Sequence, residues 1–136
     1  MNLKSPISEI MTKDVIVLGA SDSLAEAERV FGNHSLRHAP VVHKGELVGM
    51  LSVVDLRRSL EFDDNINERR LAKVNQVMTS DPVSVQVGAT IGEVGRLFTE
   101  DDFHAIPVLD GSRVVGIIST TDIINYLMES LASDLD

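Results

Sequence analysis

The sequence has no cysteine, so it holds no disulfide, no thiolate nucleophile and no Cys-ligated zinc or iron–sulfur centre, and a reducing compartment suits it. It has no tryptophan, one tyrosine and four phenylalanines, too few rings for a sheet that stacks nucleic-acid bases. Basic residues are short as well. Twelve Lys and Arg stand against 21 Asp and Glu, a net charge of −9 split as −4 over residues 1–68 and −5 over residues 69–136. With no concentrated positive surface, no nucleic-acid partner is expected. Long apolar runs are also missing. The most apolar stretch, near 114–118, is far too short to span a bilayer, and the opening Met1-Asn2-Leu3-Lys4-Ser5-Pro6 lacks a secretory signal. The chain is therefore expected in the cytoplasm, away from membranes. What remains, 136 residues at 43% hydrophobic and 24% charged, is enough for one soluble globular domain and too little for a multidomain enzyme.

The chain repeats itself. Shifted by 67 residues, positions 7–60 align with 74–127 without a gap, and 13 of the 54 pairs are identical. Average residue frequencies would give roughly three or four. The identities include Met11/Met78, Thr12/Thr79, Asp14/Asp81, Phe31/Phe98, Pro40/Pro107, Gly49/Gly116, Ser52/Ser119 and Asp55/Asp122. Each copy reads β-α-β-β-α. A short β-rich stretch (Val15-Ile16-Val17; Val83-Ser84-Val85) precedes a helix whose N-caps are Ser23 and Thr90 and whose apolar face is Leu24, Ala27, Val30, Phe31 or Ile91, Val94, Leu97, Phe98. Strands follow at 39–42 and 47–52, and at 106–109 and 114–119, each pair joined by a glycine-containing turn. A second helix starts near Val53 and Thr120. A copy of about 54 residues buries too little apolar surface to be stable alone, so two copies must pack together. The expected organisation is repeat 1 at 7–60, a charged linker at 61–73 containing Asp63, Asp64, Glu68 and Arg69, and repeat 2 at 74–131.

These residues resemble a tandem pair of CBS domains, the module named after cystathionine β-synthase and called a Bateman module when paired. The resemblance runs from Ile7 to Leu131. Its markers are Met-Thr opening each copy, then Arg37-His38-Ala39-Pro40-Val41 and His104-Ala105-Ile106-Pro107-Val108. The last is Leu47-Val48-Gly49-Met50-Leu51-Ser52-Val53-Val54-Asp55, matched by Val114-Val115-Gly116-Ile117-Ile118-Ser119-Thr120-Thr121-Asp122. The resemblance implies an α+β fold: two repeats related by pseudo-two-fold symmetry, their small sheets face to face and helices outside. It also implies adenosine-containing ligands in clefts between the repeats, and a separate protein that is regulated. By the family's pattern one cleft would draw on Thr12, Arg37, His38, Ser119, Thr121 and Asp122, and the other on Thr79, His104, Ala105, Ser52 and Asp55.

The residue types suit that ligand. A carboxylate has two acceptor oxygens for the two ribose hydroxyls, the role expected of Asp55 and Asp122, and each opens a helix, where the dipole favours phosphate. Ser119, Thr120 and Thr121 add hydroxyls where the first copy has only Val53 and Val54, so the Asp122 cleft is expected to be the stronger. Arg37, with His38 when protonated, would meet the phosphate, and His104 stands alone as their counterpart. On so acidic a chain AMP or ADP should fit more easily than ATP, unless Mg²⁺ accompanies the triphosphate; S-adenosylmethionine is another candidate, and no cofactor is required. The plainer reading of Ser-x-x-Asp is a helix cap, and of Arg37 and His38 solvated loop residues. Met11 and Met78 read as core fillers rather than metal ligands. No phosphate loop, Cys/His cluster or Ser-His-Asp set is present, so no enzyme is expected. The apolar second helices suggest a homodimer, and a dimerisation module with empty clefts is the alternative function.

Overall fold

The structure, a computed structural model, describes residues 2–61 and 70–135, with side chains through residue 133. Most of the expected linker, residues 62–69, lies outside the described residues. The chain divides into two compact units: Ile16–Pro82, and a second made of Met1–Val15 with Val83–Asp136. The architecture is α+β, two small mixed sheets with helices.

In the first unit, β1 (Leu18–Gly19) lies parallel to β2 (His38–His43), which pairs antiparallel with β3 (Glu46–Ser52), and β3 in turn with β4 (Thr79–Ser80). Helix α1 (Leu24–His34) starts where expected, because Ser23 Oγ accepts the Glu26 N–H at 3.1 Å. It ends at Ser35, whose φ of 53° turns the chain and lets the Leu36 N–H reach the Phe31 carbonyl at 3.1 Å. Helix α2 (Val53–Glu61) follows β3 without a loop. Leu18, Leu24, Ala27, Phe31, Val41, Leu51, Leu56, Leu60 and Val74 close the core between sheet and helices. Each such large aliphatic or aromatic side chain contributes about 1.5–3 kcal/mol by leaving water.

The second unit repeats the first, except that its sheet has three strands and an isolated bridge at Thr12 stands where the first has β4. Strand β5 (Val85–Gln86) runs parallel to β6 (Ala105–Asp110), which is antiparallel to β7 (Arg113–Ser119). Thr90 Oγ1 caps α3 (Ile91–Glu100) through the Glu93 N–H at 3.1 Å, and α4 (Thr120–Leu135) follows β7 directly. Ile7, Ile91, Val94, Ile106, Val108 and Ile118 form its core, with Phe98 and Phe103 packed against it, their rings edge to face at 5.9 Å. The hairpin turns take the two glycine solutions: Lys44 and Gly45 both have positive φ (52° and 81°), whereas in the other hairpin Gly111 does (68°).

Two features differ from the pattern read along the sequence. The β-branched triplet Val15-Ile16-Val17 is unpaired and the strand begins at Leu18, while in the other unit Val83 and Ser84 precede β5. β-propensity marks extended backbone, but a ladder needs an edge, and β2 is met only at Leu18–Gly19, opposite Val41 and Val42. More consequential is the path of each Met-Thr opening. Thr79 pairs with Met50 and Ser80 with Gly49, so the start of repeat 2 completes the sheet of repeat 1. Likewise Thr12 exchanges backbone hydrogen bonds with Ile117 at 2.9 and 3.0 Å, so the start of repeat 1 belongs to the unit of repeat 2. The recurring Asp14 and Asp81 turn the chain out of these pairings in the left-handed region, at φ 56° and 47°.

The crossing segments explain the recurring glycines. A Cβ on Gly49 would overlap the Met78 sulfur, and one on Gly116 would lie 2.5 Å from Met11 Sδ and 3.0 Å from the Thr12 carbonyl oxygen. Each glycine neighbours a bulge: β3 carries Val48, and β7 Val115, as an extra residue in the register with β2 and β6.

Candidate functional site

Antiparallel pairing decides which candidate residues meet. In the second unit Ala105 lies opposite Ser119, and the Thr120 N–H donates to the His104 carbonyl at 3.0 Å, so the start of β6 and the start of α4 sit side by side. Thr12 joins them through Ile117, two residues before Ser119. Thr12, His104, Ala105, Ser119, Thr120, Thr121 and Asp122 therefore share one region of one unit. Ser119 and Asp122 cap each other: the Ser119 N–H donates to Asp122 Oδ2 at 2.9 Å, and the Asp122 N–H to Ser119 Oγ at 3.1 Å. The cap uses one lone pair of a carboxylate that offers about four, so Asp122 keeps acceptor capacity, and it is half-buried rather than enclosed. Thr12, His104 and Thr121 are exposed, and Thr120 is half-buried.

The first unit repeats the arrangement with different side chains. His38 lies opposite Ser52, the Val53 N–H donates to the Arg37 carbonyl at 2.8 Å, and Thr79 pairs with Met50. Arg37, His38, Ser52, Asp55 and Thr79 thus lie in one unit, near the ends of β2 and β3. Ser52 Oγ accepts the Asp55 N–H at 3.0 Å, but the Asp55 carboxylate receives no return bond among the described residues. Where Thr121 stands in the second unit the first has Val54, 52% exposed, so this helix start presents hydrocarbon in place of a hydroxyl.

The first unit also holds a concavity of about 690 Å³ between the C-terminal half of α1 and α2, with Arg37 and Arg57 among its lining residues. Sequence reading missed it. Its signal was a size difference at offset 67: Leu36 and Gly32 here, Phe103 and Thr99 in the other copy. Among the described residues no group of three or more His, Asp and Glu can hold a metal, and no helix is long and apolar enough to cross a membrane.

Two small sheets, each joined by the opening of the other repeat, with a Ser-x-x-Asp cap at the start of the second helix, define a duplicated α+β module. The family model for the CBS domain matches residues 7–61 and 74–129, and the chain belongs to that family as a tandem pair. The protein MJ1225 of Methanocaldococcus jannaschii is 27% identical over 129 residues, covering 88% of this chain and 46% of that protein. Its crystal structure superposes with a TM-score of 0.83 at 26% identity, over 93% of this chain and 49% of that one. Two further relatives from that organism are matched over 32% and 44% of their length, so the chain spans half or less of these curated relatives. CBSX2, a CBS-pair protein of Arabidopsis thaliana solved in complex with AMP, superposes at a TM-score of 0.79 with 23% identity over 92% of this chain and 97% of that one. The CBS domain pair of MJ0100, solved with 5′-methylthioadenosine and S-adenosyl-L-methionine, gives 0.78 at 23% identity over 93% and 98%.

Proposed function

We propose that this chain is a non-catalytic, cytoplasmic regulatory module that binds an adenosine-containing nucleotide of the AMP, ADP or ATP class and signals to a separate partner protein as a homodimer. The observation that carries the reading is the Ser119–Asp122 cap beside Thr12: a half-buried carboxylate with spare lone pairs at the start of a long helix, flanked by Thr120 and Thr121. AMP, 5′-methylthioadenosine and S-adenosylmethionine, the ligands of the CBS-pair proteins above, differ in charge and share adenosine. A ribose-binding carboxylate is the group that would serve all three. Asp122 accepts from the ribose hydroxyls, the start of α4 and the hydroxyls of Thr120 and Thr121 face the phosphate, and Thr12 and His104 border the ligand. In the first unit Asp55, Ser52 and Thr79 are the counterparts, with Arg37 and His38 on the phosphate. That unit is the weaker for the ribose and its helix start, because Val53 and Val54 supply no hydroxyl. Mg²⁺ enters only with a triphosphate.

Nucleotide binding shifts the population toward the arrangement that holds the ligand, and the partner reads that shift. Calorimetry with AMP, ADP, ATP and S-adenosylmethionine tests the reading. Asp122→Asn keeps a cap acceptor and removes the charge, and it should weaken AMP binding roughly 10- to 100-fold, the worth of hydrogen bonds to a charged group. AMP should bind more tightly than ATP without Mg²⁺. No heat and no thermal shift with any of the four ligands would overturn the proposal and favour the alternative, a dimerisation module with empty clefts, to which the exposed apolar stripe on α4 also points.

A further inference from the structure

Several positions at which the two copies differ gather at one place in the first unit. The concavity of about 690 Å³ between α1 and α2 lies within the range of small-molecule sites, about 300–1,000 Å³, and all its lining residues belong to this unit. Phe31, Leu56 and Leu60, each at most 5% exposed, form its floor. Half-buried Leu36 and Val53, with exposed Val54, leave hydrocarbon open to solvent along its sides. The room exists because Leu36 stands where the second unit has Phe103 packed edge to face on Phe98. Charge differs at the same place. Arg57 lines the groove where the other copy has Ile124, and Arg37 where it has His104. Both arginines are exposed and neither has an ion pair among the described residues, whereas Glu28 on the rim is paired with Arg70 at 3.3 Å. On a chain of net charge −9, two such guanidinium groups beside open hydrocarbon make a local site for an anion with an apolar body.

We propose that this groove binds a single-chain aliphatic carboxylate of about ten carbons, its tail along Leu36, Val53 and Val54 and its carboxylate on the Arg57 guanidinium, with Arg37 adding positive charge. A planar guanidinium offers a carboxylate two parallel N–H donors. At about 30 Å³ per heavy atom, the share of a molecule in liquid water, such a ligand takes roughly 360 Å³, about half the groove. One negative charge suits an acidic chain better than the two of a phosphate monoester. The second unit has Phe103 in the matching space and Ile124 in place of the cation, so it should not bind the same molecule. The inference does not rest on nucleotide binding, in which Arg57, Leu36 and Gly32 take no part.

Calorimetry of the full chain with sodium decanoate tests it, with decyltrimethylammonium as a control of equal tail and opposite charge. The cation should bind roughly tenfold or more weakly than decanoate, although the net charge of −9 favours it. Shortening the tail to octanoate should weaken binding by up to about fourfold for each methylene lost. Arg57→Ala should weaken decanoate binding roughly 5- to 10-fold, between the worth of an exposed ion pair and that of a hydrogen bond to a charged group, and leave AMP binding unchanged. Leu36→Phe narrows the groove as Phe103 fills the other unit. Gly32→Leu narrows it from a position where a Cβ meets nothing within 4 Å, so the fold is not at risk. Each should weaken decanoate binding roughly tenfold or more. Absence of heat with decanoate overturns the proposal, as does equal binding of the two amphiphiles, or decanoate binding that all three variants leave unchanged. Self-association of the parent that Leu36→Phe abolishes, with no decanoate bound, overturns it in favour of a second copy as the occupant.

Discussion

Gly116→Ala and Gly49→Ala introduce the same methyl at matched positions, yet the structure gives them different consequences. Neither glycine has a positive φ, so the cost is one of space and not of backbone strain. At Gly49 the three nearest atoms all belong to the Met78 side chain, a thioether that can rotate away, so the variant should lose about 1 kcal/mol, the low end for an overpacked contact. At Gly116 the methyl meets Met11 Sδ at 2.5 Å and also the Thr12 carbonyl at 3.0 Å, and that carbonyl accepts the Ile117 N–H that holds the segment to β7. Backbone cannot rotate away. The loss should be about 2–3 kcal/mol, the upper part of the overpacking range. Urea unfolding measures it, and a thermal scan should show Gly116→Ala melting several degrees below Gly49→Ala. Double-mutant cycles sharpen the test: Met78→Ala should relieve most of the Gly49→Ala penalty, whereas Met11→Ala should relieve only part of the Gly116→Ala penalty. Equal losses at the two positions, or full relief at both, would refute the assignment of Gly116 to the passage of the Thr12 backbone.

Thr12→Ala should leave stability within about 0.5 kcal/mol of the parent, because Thr12 is held by its backbone and its side chain is exposed, while lowering AMP affinity in the calorimeter. Ser23→Ala and Thr90→Ala each remove a side-chain cap and should each cost about 1 kcal/mol in urea unfolding, with additive losses because they cap helices of different units. The hydrogen bond from Arg29, helped by its charge, holds the Glu26 carboxyl below its ordinary value. A depressed carboxylate contributes stability that is present above its unfolded value and is lost as pH falls through the folded one. The melting difference between the parent and Glu26→Gln should therefore be seen near neutral pH and fade as the solution is acidified; the pair is exposed, so salt should also shrink it.

Where local pattern sufficed, the fold was legible. Ser23 and Thr90 cap the helices their positions imply, and the hairpins 38–52 and 105–119 extend the expected strands by a residue at their ends. Periodicity and cap chemistry are short-range, and a gap-free repeat reports them twice. The same alignment hides the crossing of the Met-Thr segments, since it treats positions 7–60 as contiguous in space as well as in sequence. Each compact unit takes in the opening segment of the other repeat: Thr79 pairs with Met50, and Thr12 with Ile117.

The grouping of the candidate site follows from hairpin geometry. A strand pair that sets His38 opposite Ser52 must bring the residue before β2 next to the residue after β3, so the contact between Arg37 and Val53 is a consequence of register, and that between His104 and Thr120 is its copy. Sequence alone singled out these residues as candidates but had no register with which to order them. The groove needed more still, because no periodic pattern encodes an empty space. It arises where Leu36 replaces an aromatic ring, and it becomes visible only when Phe31 and Phe98 are compared in place. Duplication thus supplies the scaffold, and the positions at which the copies diverge, Leu36 from Phe103, Arg57 from Ile124 and Val54 from Thr121, are where each unit acquires a surface the other lacks.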